Sequence, residues 1–525
     1  MKKTYLSKIL FVGLLLMTFN QSCTNLDEDL FSQVSADNFF KSPDEFISAL
    51  GAAYTSLYFF AGHNSYLSGQ EVSSDEIVIP QRGGDWFDGG IWLRTATHTY
   101  TPNEDFVNNA WNDLFAGVNT ANRLIFQFNK LVADGSVPQA QADSFIAELR
   151  TLRALFYYYL IDSFANVPIV DDFANVDPPA TKSRAEVFSF IESELQESAP
   201  SLSRAVDGTT YGRMQFYAAQ AILAKLYLNA EVYTGTAQWD KAIAACNEII
   251  NSGLYSLESN YFSNFNSDNG NSKERILAIP YDEIFAKGFN LVQMTLHYVS
   301  QQTFNTAEQP WNGYCSLQEF YNSYEDKDVR KGVWGNQQIR GNFLAGPQFQ
   351  SDGVTPITDP GVEDNDPDGP EIIFTPELNE LFPNTLRQAG VRVGKYEFSL
   401  GSLRDLSNDW SLFRYADILM MKAEALWRKN PADAEALELV NQIRRRASNP
   451  NDPLADYTEL TAENLLAERG REFFYEGWRR NDQIRFGVFG DPWEFKPATN
   501  PDQWIWPIPQ SQLDANPNLV QNPGY

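Results

Sequence analysis

Cysteine, histidine and methionine are scarce in this 525-residue chain, at three, three and six residues. The histidines, His63, His98 and His297, stand far apart with no metal-ligand spacing, and no HExxH, GxSxG or P-loop string occurs. These absences exclude the zinc-hydrolase, serine-hydrolase and phosphate-loop chemistries that such strings carry. Basic charge is also short: 40 Lys and Arg stand against 68 Asp and Glu, a net charge of −28. Such a field repels phosphate backbones and anionic lipids, so nucleic acid is excluded as a partner and strongly anionic substrates are disfavoured. Beyond the N-terminus, no run is apolar enough to span a bilayer.

What the N-terminus has is a leader. Lys2, Lys3 and Lys8 precede Ile9 to Phe19, ILFVGLLLMTF, an uncharged stretch of signal-peptide length that falls short of the roughly 20 apolar residues of a membrane span. Polar Asn20-Gln21-Ser22 then leads to Cys23. A small residue directly before a cysteine marks lipoprotein processing, in which the thiol is acylated and the chain is cut before Cys23. The alternative is an ordinary secreted protein with an unrelated Cys23, which leaves the layout of the leader unexplained. Each buried acyl methylene contributes about 0.8 kcal/mol, so several chains hold a soluble body firmly, and the membrane is met through this anchor alone. The leader carries three lysines and no acidic residue, so its removal takes the net charge from −28 to −31. Only Cys246 and Cys315 then remain, too few for a disulfide framework, and both are expected to be free.

Past residue 42 the periodicity is helical. Ser42-Pro43-Asp44-Glu45 reads as a helix start, followed by helix to about Phe60. Two helices are expected within Phe106 to Phe164, then helices at Ala185 to Leu195, Arg213 to Tyr233 and Trp239 to Ile250. Leu223 to Ile250 approaches a tetratricopeptide unit, with Ala224, Tyr227, Ala230, Trp239 and Ala242 at positions wanting small and aromatic residues. From about 254 the chain turns rich in Asn, Gly, Ser, Pro and aromatics, and predicts short strands and long loops. Helices return at Leu412 to Arg428, Ala432 to Ala447 and Thr461 to Phe486. The prolines of the Trp504 to Tyr525 tail predict an extended run. The divisions are 1–22 (signal peptide), 23–253 (early helices), 254–411 (loop-rich insertion) and 412–525 (late helices and tail). The fold class is mainly α: a tetratricopeptide-like helix-pair scaffold with a large loop-rich region carrying short strands.

The C-terminal strings are specific. LFRYADILMMKAEALWR (Leu412 to Arg428), LVNQIRRRA (Leu439 to Ala447), ERGREFFYEGWRRNDQIRFG (Glu468 to Gly487) and WPIPQSQLDANPNLVQNPGY at the end resemble, in this order, the SusD/RagB family of Bacteroidetes outer-membrane lipoproteins. ADNFFKSPDEF (Ala36 to Phe46), SSDEI (Ser73 to Ile77) and WNGYCSLQEFYNSYEDKDVRK (Trp311 to Lys331) extend the likeness over nearly the whole chain. The leader departs from the commonest bacterial form, with Asn20 where Leu is usual, as diverged Bacteroidetes signals do. TNLDEDL, Thr24 to Leu30, resembles the family's surface-export signal. The resemblance implies about four such helix pairs in a non-catalytic, lipid-anchored protein on the cell-surface side of the outer membrane. It would capture oligosaccharide with its loops and deliver it to a SusC-type TonB-dependent transporter. The RagB branch supplies the runner-up, peptide or protein uptake on the same architecture.

Sugar rings are held by stacking Trp or Tyr on their C–H face and by offering Asp, Asn, Arg or Gln to their hydroxyl rim. Two loop segments have that composition. Gln81 to Arg94, QRGGDWFDGGIWLR, nominates Arg82, Asp85, Trp86 and Phe87 for ligand binding, with Trp92 assigned to the core as the alternative. Gln309 to Tyr314, QPWNGY, nominates Trp311, Asn312 and Tyr314. The competing reading of these rings is an aromatic cap over the core. Asp75 is expected to brace a turn. The dense charges from Glu468 to Arg485 read as an ion-paired helix joining the last repeat to the core. The other reading is a glycosidase carboxylate pair, Glu472 and Glu476. No catalytic residue and no cofactor are expected. Asp364, Asp366 and Asp368 match half a calcium loop, but Thr375 stands where the bidentate Glu belongs, so a solvated acidic insertion is favoured.

Overall fold

Helices dominate the chain because its apolar residues recur at the spacing that gathers them on one helix face. A computed structural model describes residues 43–332, 340–359 and 370–525. Cys23 and the acidic stretch with Asp364, Asp366 and Asp368 lie outside the described residues. The first helix, α1 (Pro43–Tyr54), yields to a 3-10 turn at Thr55–Leu57 before the expected end at Phe60. Residues 49–525 form one compact unit, which holds every element from that turn onward.

Short helices α2 (Tyr66–Val72) and α3 (Ile91–Ala96) precede the long pair α4 (Asp105–Ala133) and α5 (Gln139–Phe164). Phe106, Ala110, Trp111, Leu114, Val118, Ala121, Leu124 and Phe128 form the buried stripe of α4. The turn after α4 is sharp because Gly135 takes φ 78°, where a side chain would be strained. The pair then packs closely: a Cβ on Gly117 would sit 2.3 Å from the Phe156 ring. Helix α6 (Arg184–Ser198) packs on α5, and a capping box fixes its start, Ser183 Oγ accepting from the Glu186 amide while the Glu186 carboxylate accepts from the Ser183 amide.

Helices α7 (Phe216–Leu228), α8 (Ala230–Thr234) and α9 (Trp239–Ile250) follow, and α7 packs along α9. The insertion carries the short helices α10 (Leu291–Thr295), α11 (Gln301–Phe304) and α12 (Gln318–Asn322). After it come α13 (Tyr415–Lys429), α14 (Ala434–Arg446), α15 (Ala462–Phe473), α16 (Arg479–Arg485) and α17 (Gln510–Ala515). Helix α13 lies between α9 and α14, so the late helices pack directly onto the early ones.

Among the described residues the strands form four two-stranded antiparallel ladders. They are β1 (Ile77–Val78) with β3 (Cys315–Ser316), β2 (Arg275–Ile279) with β8 (Trp410–Arg414), β4 (Phe343–Leu344) with β7 (Arg392–Val393), and β5 (Gly346–Pro347) with β6 (Ile373–Phe374). Cys246 and Cys315 are buried free thiols.

Two helix expectations and one extended run need correction. Leu412 to Arg414 are strand, because Arg275–Ile279 offers a ladder that local periodicity cannot reveal. Thr461 to Phe486 is two helices. The buried carboxyl of Glu76 accepts from the Tyr475 amide at 3.0 Å and that of Glu71 from the Gly477 amide at 2.7 Å, which takes both N–H groups out of the helical ladder. The tail is not wholly extended: Pro509 and Pro517 flank α17 rather than interrupt it.

The Glu468 to Arg485 charges are structural, but their pairing is mostly between elements rather than along one helix. Arg330 bonds Asp328 at 2.7 Å, Glu468 at 2.7 Å and Glu472 at 3.1 Å. Arg414 bonds Glu472 at 2.6 Å, Glu476 at 2.8 Å and Glu274 at 3.2 Å, and Lys395 reaches Glu476 at 2.6 Å. All these side chains are buried. Burial alone would raise the Glu472 carboxyl, but Arg446, Arg414 and Arg330 outweigh it and hold it down at about 2. A glycosidase acid needs the reverse shift, so the geometry disfavours Glu472 and Glu476 as a hydrolytic pair. Asp75 forms a two-pronged bond to Arg479 at 2.6 and 2.7 Å, bracing the turn after α2 against α16.

Candidate functional site: a tryptophan cleft

The two loop segments singled out in the sequence meet. Asp85, Trp86, Asp88, Tyr298, Gln309, Pro310 and Trp311 line an open cleft of about 490 Å³. The β1–β3 ladder brings its walls together, since Ile77 pairs with Ser316 and Val78 with Cys315 just before the loops diverge.

The first wall is a tight turn. Arg82 and Asp85 exchange backbone hydrogen bonds at 3.0 and 3.1 Å around Gly83-Gly84, with Gly83 at φ 62°. Trp86 follows at φ 61°, a conformation that L side chains adopt only when their surroundings hold them there. Its indole N–H donates to the Trp311 carbonyl at 2.7 Å, and its ring lies on Gly313, where a Cβ would come within 2.4 Å. His63 meets the ring edge-on at 5.2 Å, and the Trp311 ring stands 6.4 Å away. Trp86 and Trp311 are thus half-buried rings locked along one side and open on the other.

The polar rim is acidic. Asp85 accepts from the Tyr298 hydroxyl, and Asp88 accepts from the Trp92 indole N–H at 2.9 Å. Burial, then the bond to Asp85, raises the Tyr298 hydroxyl above its ordinary range, so it stays protonated and donates. Burial lowers His63 to about 4 despite the nearby Asp88 charge, so the imidazole is neutral at pH 7.

The structure places four of the nominated residues away from the open face of the cleft. Arg82 is buried, and its guanidinium donates to the carbonyls of Asn312 at 3.1 Å, of Ala389 at 2.9 Å and of Leu386. Asn312 is buried, donating to the Arg387 carbonyl at 2.8 Å and accepting from Arg392 at 2.8 Å. Tyr314 is 1 % exposed, its hydroxyl held between His63 Nδ1 at 2.9 Å and Ser68 Oγ at 2.7 Å. These three brace the cleft from behind. Phe87 is 49 % exposed but turns to Phe382, 6.2 Å away, and does not line the cleft. Trp92 is core, as its alternative reading had it.

Sequence reasoning missed Tyr298, Asp88 and His63. Tyr298 and His63 carried no local signal: backbone bonds from residues 311–314 to Gln293, Met294 and Leu296 hold the Tyr298 segment beside the cleft, and ring contacts with Trp86 and Trp92 hold His63. Asp88 lay inside a nominated segment and could have been found by its spacing of four from Trp92. A second hollow, of about 380 Å³, lies over Trp111 and Phe115, but Trp111 is 4 % exposed and offers no free face for stacking. Among the described residues no group of three or more His, Cys, Asp or Glu is placed to hold a metal ion. No described helix is long and apolar enough to cross a membrane.

Comparison with known proteins bears on the family and the fold. A family model described as the SusD family matches residues 390–498 and 489–525, and one described as starch-binding and associating with the outer membrane matches residues 70–228. The chain belongs to the SusD family. It is similar to the starch-binding protein SusD of Bacteroides thetaiotaomicron, 27 % identical over 426 residues and 72 % of each chain. It is also similar to the SusD-like protein P2 of Formosa agariphila, 24 % identical over 99 % of each. Two solved structures share the SusD fold. A laminarin-binding SusD-like protein superposes with TM-score 0.70 at 22 % identity, covering 93 % of this chain and 100 % of its own. The surface glycan-binding protein A of Bacteroides thetaiotaomicron, in complex with laminarihexaose, gives 0.71 at 20 %, covering 91 % and 99 %.

Proposed function

We propose that this SusD-family chain captures a neutral oligosaccharide at the outer face of the outer membrane, using the Trp86–Trp311 cleft. The observation that carries the reading is the pairing of two half-open indoles with an Asp85–Tyr298 rim. The rings match the C–H faces of sugars, while the carboxylate and hydroxyl match their hydroxyl groups. The relatives whose names say that they bind starch and laminarin support it. The body hangs from a lipid on Cys23 and hands its cargo to a SusC-type TonB-dependent transporter. Its role is capture without hydrolysis, and it needs no cofactor. The peptide-uptake alternative draws no support from the cleft, whose open face is aromatic rather than a row of backbone-directed polar groups.

Calorimetry or affinity electrophoresis against a panel of neutral glycans tests this. The expected result is saturable binding of at least one glucan, weakened by Trp86→Ala and by Trp311→Ala without loss of fold. Binding of peptides, with no affinity for any neutral glycan, would sink it.

A further inference from the structure

Beyond His63 lies another hollow, of about 360 Å³, walled in part by His63, Asn64, Asp113, Lys287, Asn290 and Arg404. His63 is the partition between the two spaces. It lines this hollow, yet its ring stands edge-on to Trp86 at 5.2 Å and 6.2 Å from Trp311, both of which line the first cleft. A ligand that joined the two hollows would have to pass His63.

The chemistry of this wall differs from that of the first. The first cleft is lined by two carboxylates and no cation. The second has donors and acceptors side by side. Lys287 is exposed, and no carboxylate lies within ion-pair distance of its ammonium among the described residues. Arg404 leans on Asp405 at 3.3 Å. Asp113 accepts from the Ser65 hydroxyl at 2.9 Å. The amide oxygens Asn64 Oδ1 and Asn290 Oδ1 are buried without a hydrogen-bond partner, an arrangement that folded proteins seldom leave uncompensated. The Asn64 backbone is fixed at φ 59° by its own N–H on Ser68 Oγ at 2.9 Å and by Asn109 Nδ2 on its carbonyl at 2.9 Å. Two residues before Lys287, Phe285 is 89 % exposed on a turn whose amides Asp282 holds at 2.8 and 2.7 Å. Mixed donors and acceptors suit groups that both give and take hydrogen bonds, which hydroxyls do and carboxylates or ammonium ions do not.

We propose that this hollow is a second subsite, seating a neutral sugar unit further along the same oligosaccharide. The proposal rests on the reading of the first cleft as a glycan site. It makes affinity depend on chain length: short oligomers use the tryptophans alone, and longer ones reach past His63.

The test is calorimetric titration with malto-oligosaccharide and laminari-oligosaccharide ladders from two to seven sugars. Three variants are compared with the unmodified protein: Lys287→Ala, Asn64→Gly (which keeps the left-handed backbone) and Trp86→Ala. The expected result is that Lys287→Ala and Asn64→Gly weaken the longest bound oligomer about tenfold and leave the shortest within about twofold. Trp86→Ala weakens every length. If the two hollow variants fold, by circular dichroism, and bind the longest oligomer like the unmodified protein while Trp86→Ala weakens all lengths, the subsite is overturned and the first cleft stands. Loss of equal size at every length also overturns the subsite. If the unmodified protein binds neither these ladders nor any other neutral glycan, or Trp86→Ala changes nothing, the reading of the first cleft fails and the subsite falls with it.

Discussion

Where α13, α14 and α15 converge, Glu468, Glu472 and Glu476 are ringed by cationic side chains and shut away from water. At the tryptophan cleft, Asp85 and Asp88 are exposed, and the polar groups bond chiefly to rings and hydroxyls. The first region has spent its hydrogen-bonding capacity on itself. The second keeps capacity in hand for something outside the chain. Buried ion pairs contribute little net stability over an apolar replacement, but breaking one is costly. The charged core therefore acts as a frame that fixes how the insertion meets the C-terminal part: Glu274, Arg330 and Lys395 come from the insertion, and they bond Arg414 of strand β8, Glu468 of α15 and Glu476 of the turn after α15.

The sharpest way to break the contrast is Glu472→Gln, which leaves Arg330, Arg414 and Arg446 short of a counter-charge. We expect a loss of about 3–5 kcal/mol in unfolding free energy, read by denaturant titration. Trp86→Ala should do the opposite, costing about 1.4–2.8 kcal/mol of glycan binding, ten- to a hundredfold by calorimetry, with little change in the unfolding midpoint.

Acidity separates the regions too. The Glu472 carboxyl is held at about 2, below its ordinary 4.5, so the stability it contributes is complete above pH 4.5 and drains away as pH falls towards 2. Glu71 is shifted the other way, to about 8, chiefly by burial. The fold then favours its protonated form, so stability is greatest below pH 4.5 and declines as pH rises towards 8. Glu71→Gln should flatten that decline in pH-resolved thermal melts. Glycan affinity should stay level between about pH 5 and 8, because His63 remains neutral throughout. The smallest effect belongs to Phe87→Ala, which should move binding less than about twofold and stability less than about 0.5 kcal/mol.

Much of the frame was legible because its signals are local. The stripes of α4 and α9 repeat at helical spacing, and the C-terminal strings are long. Trp86 and Trp311 were legible for another reason: glycines and prolines around them left no regular element for their rings to pack into. What escaped depends on distant partners. Leu412 to Arg414 have helical neighbours yet pair with a strand far back in the chain. Arg82, Asn312 and Tyr314 have the chemistry of ligand contacts, but Leu386, Arg387, Arg392 and Ser68 occupy their polar atoms. Nothing near Tyr298 or His63 in sequence announces that residues 311–314 will bond to the 293–296 segment or that Trp86 and Trp92 will pack on the imidazole.

The β1–β3 ladder has a consequence for how such a protein can change. Because β1 and β3 bring the two walls together, the loops beyond them can be exchanged like the interchangeable jaws of a clamp whose hinge stays put. New residues at 85, 88, 309 or 310 would alter what is gripped without resetting how far apart the grips stand, whereas Arg82 and Asn312 belong to the hinge. Gly313 marks the limit of that freedom, since any larger residue there pushes Trp86 off its seat.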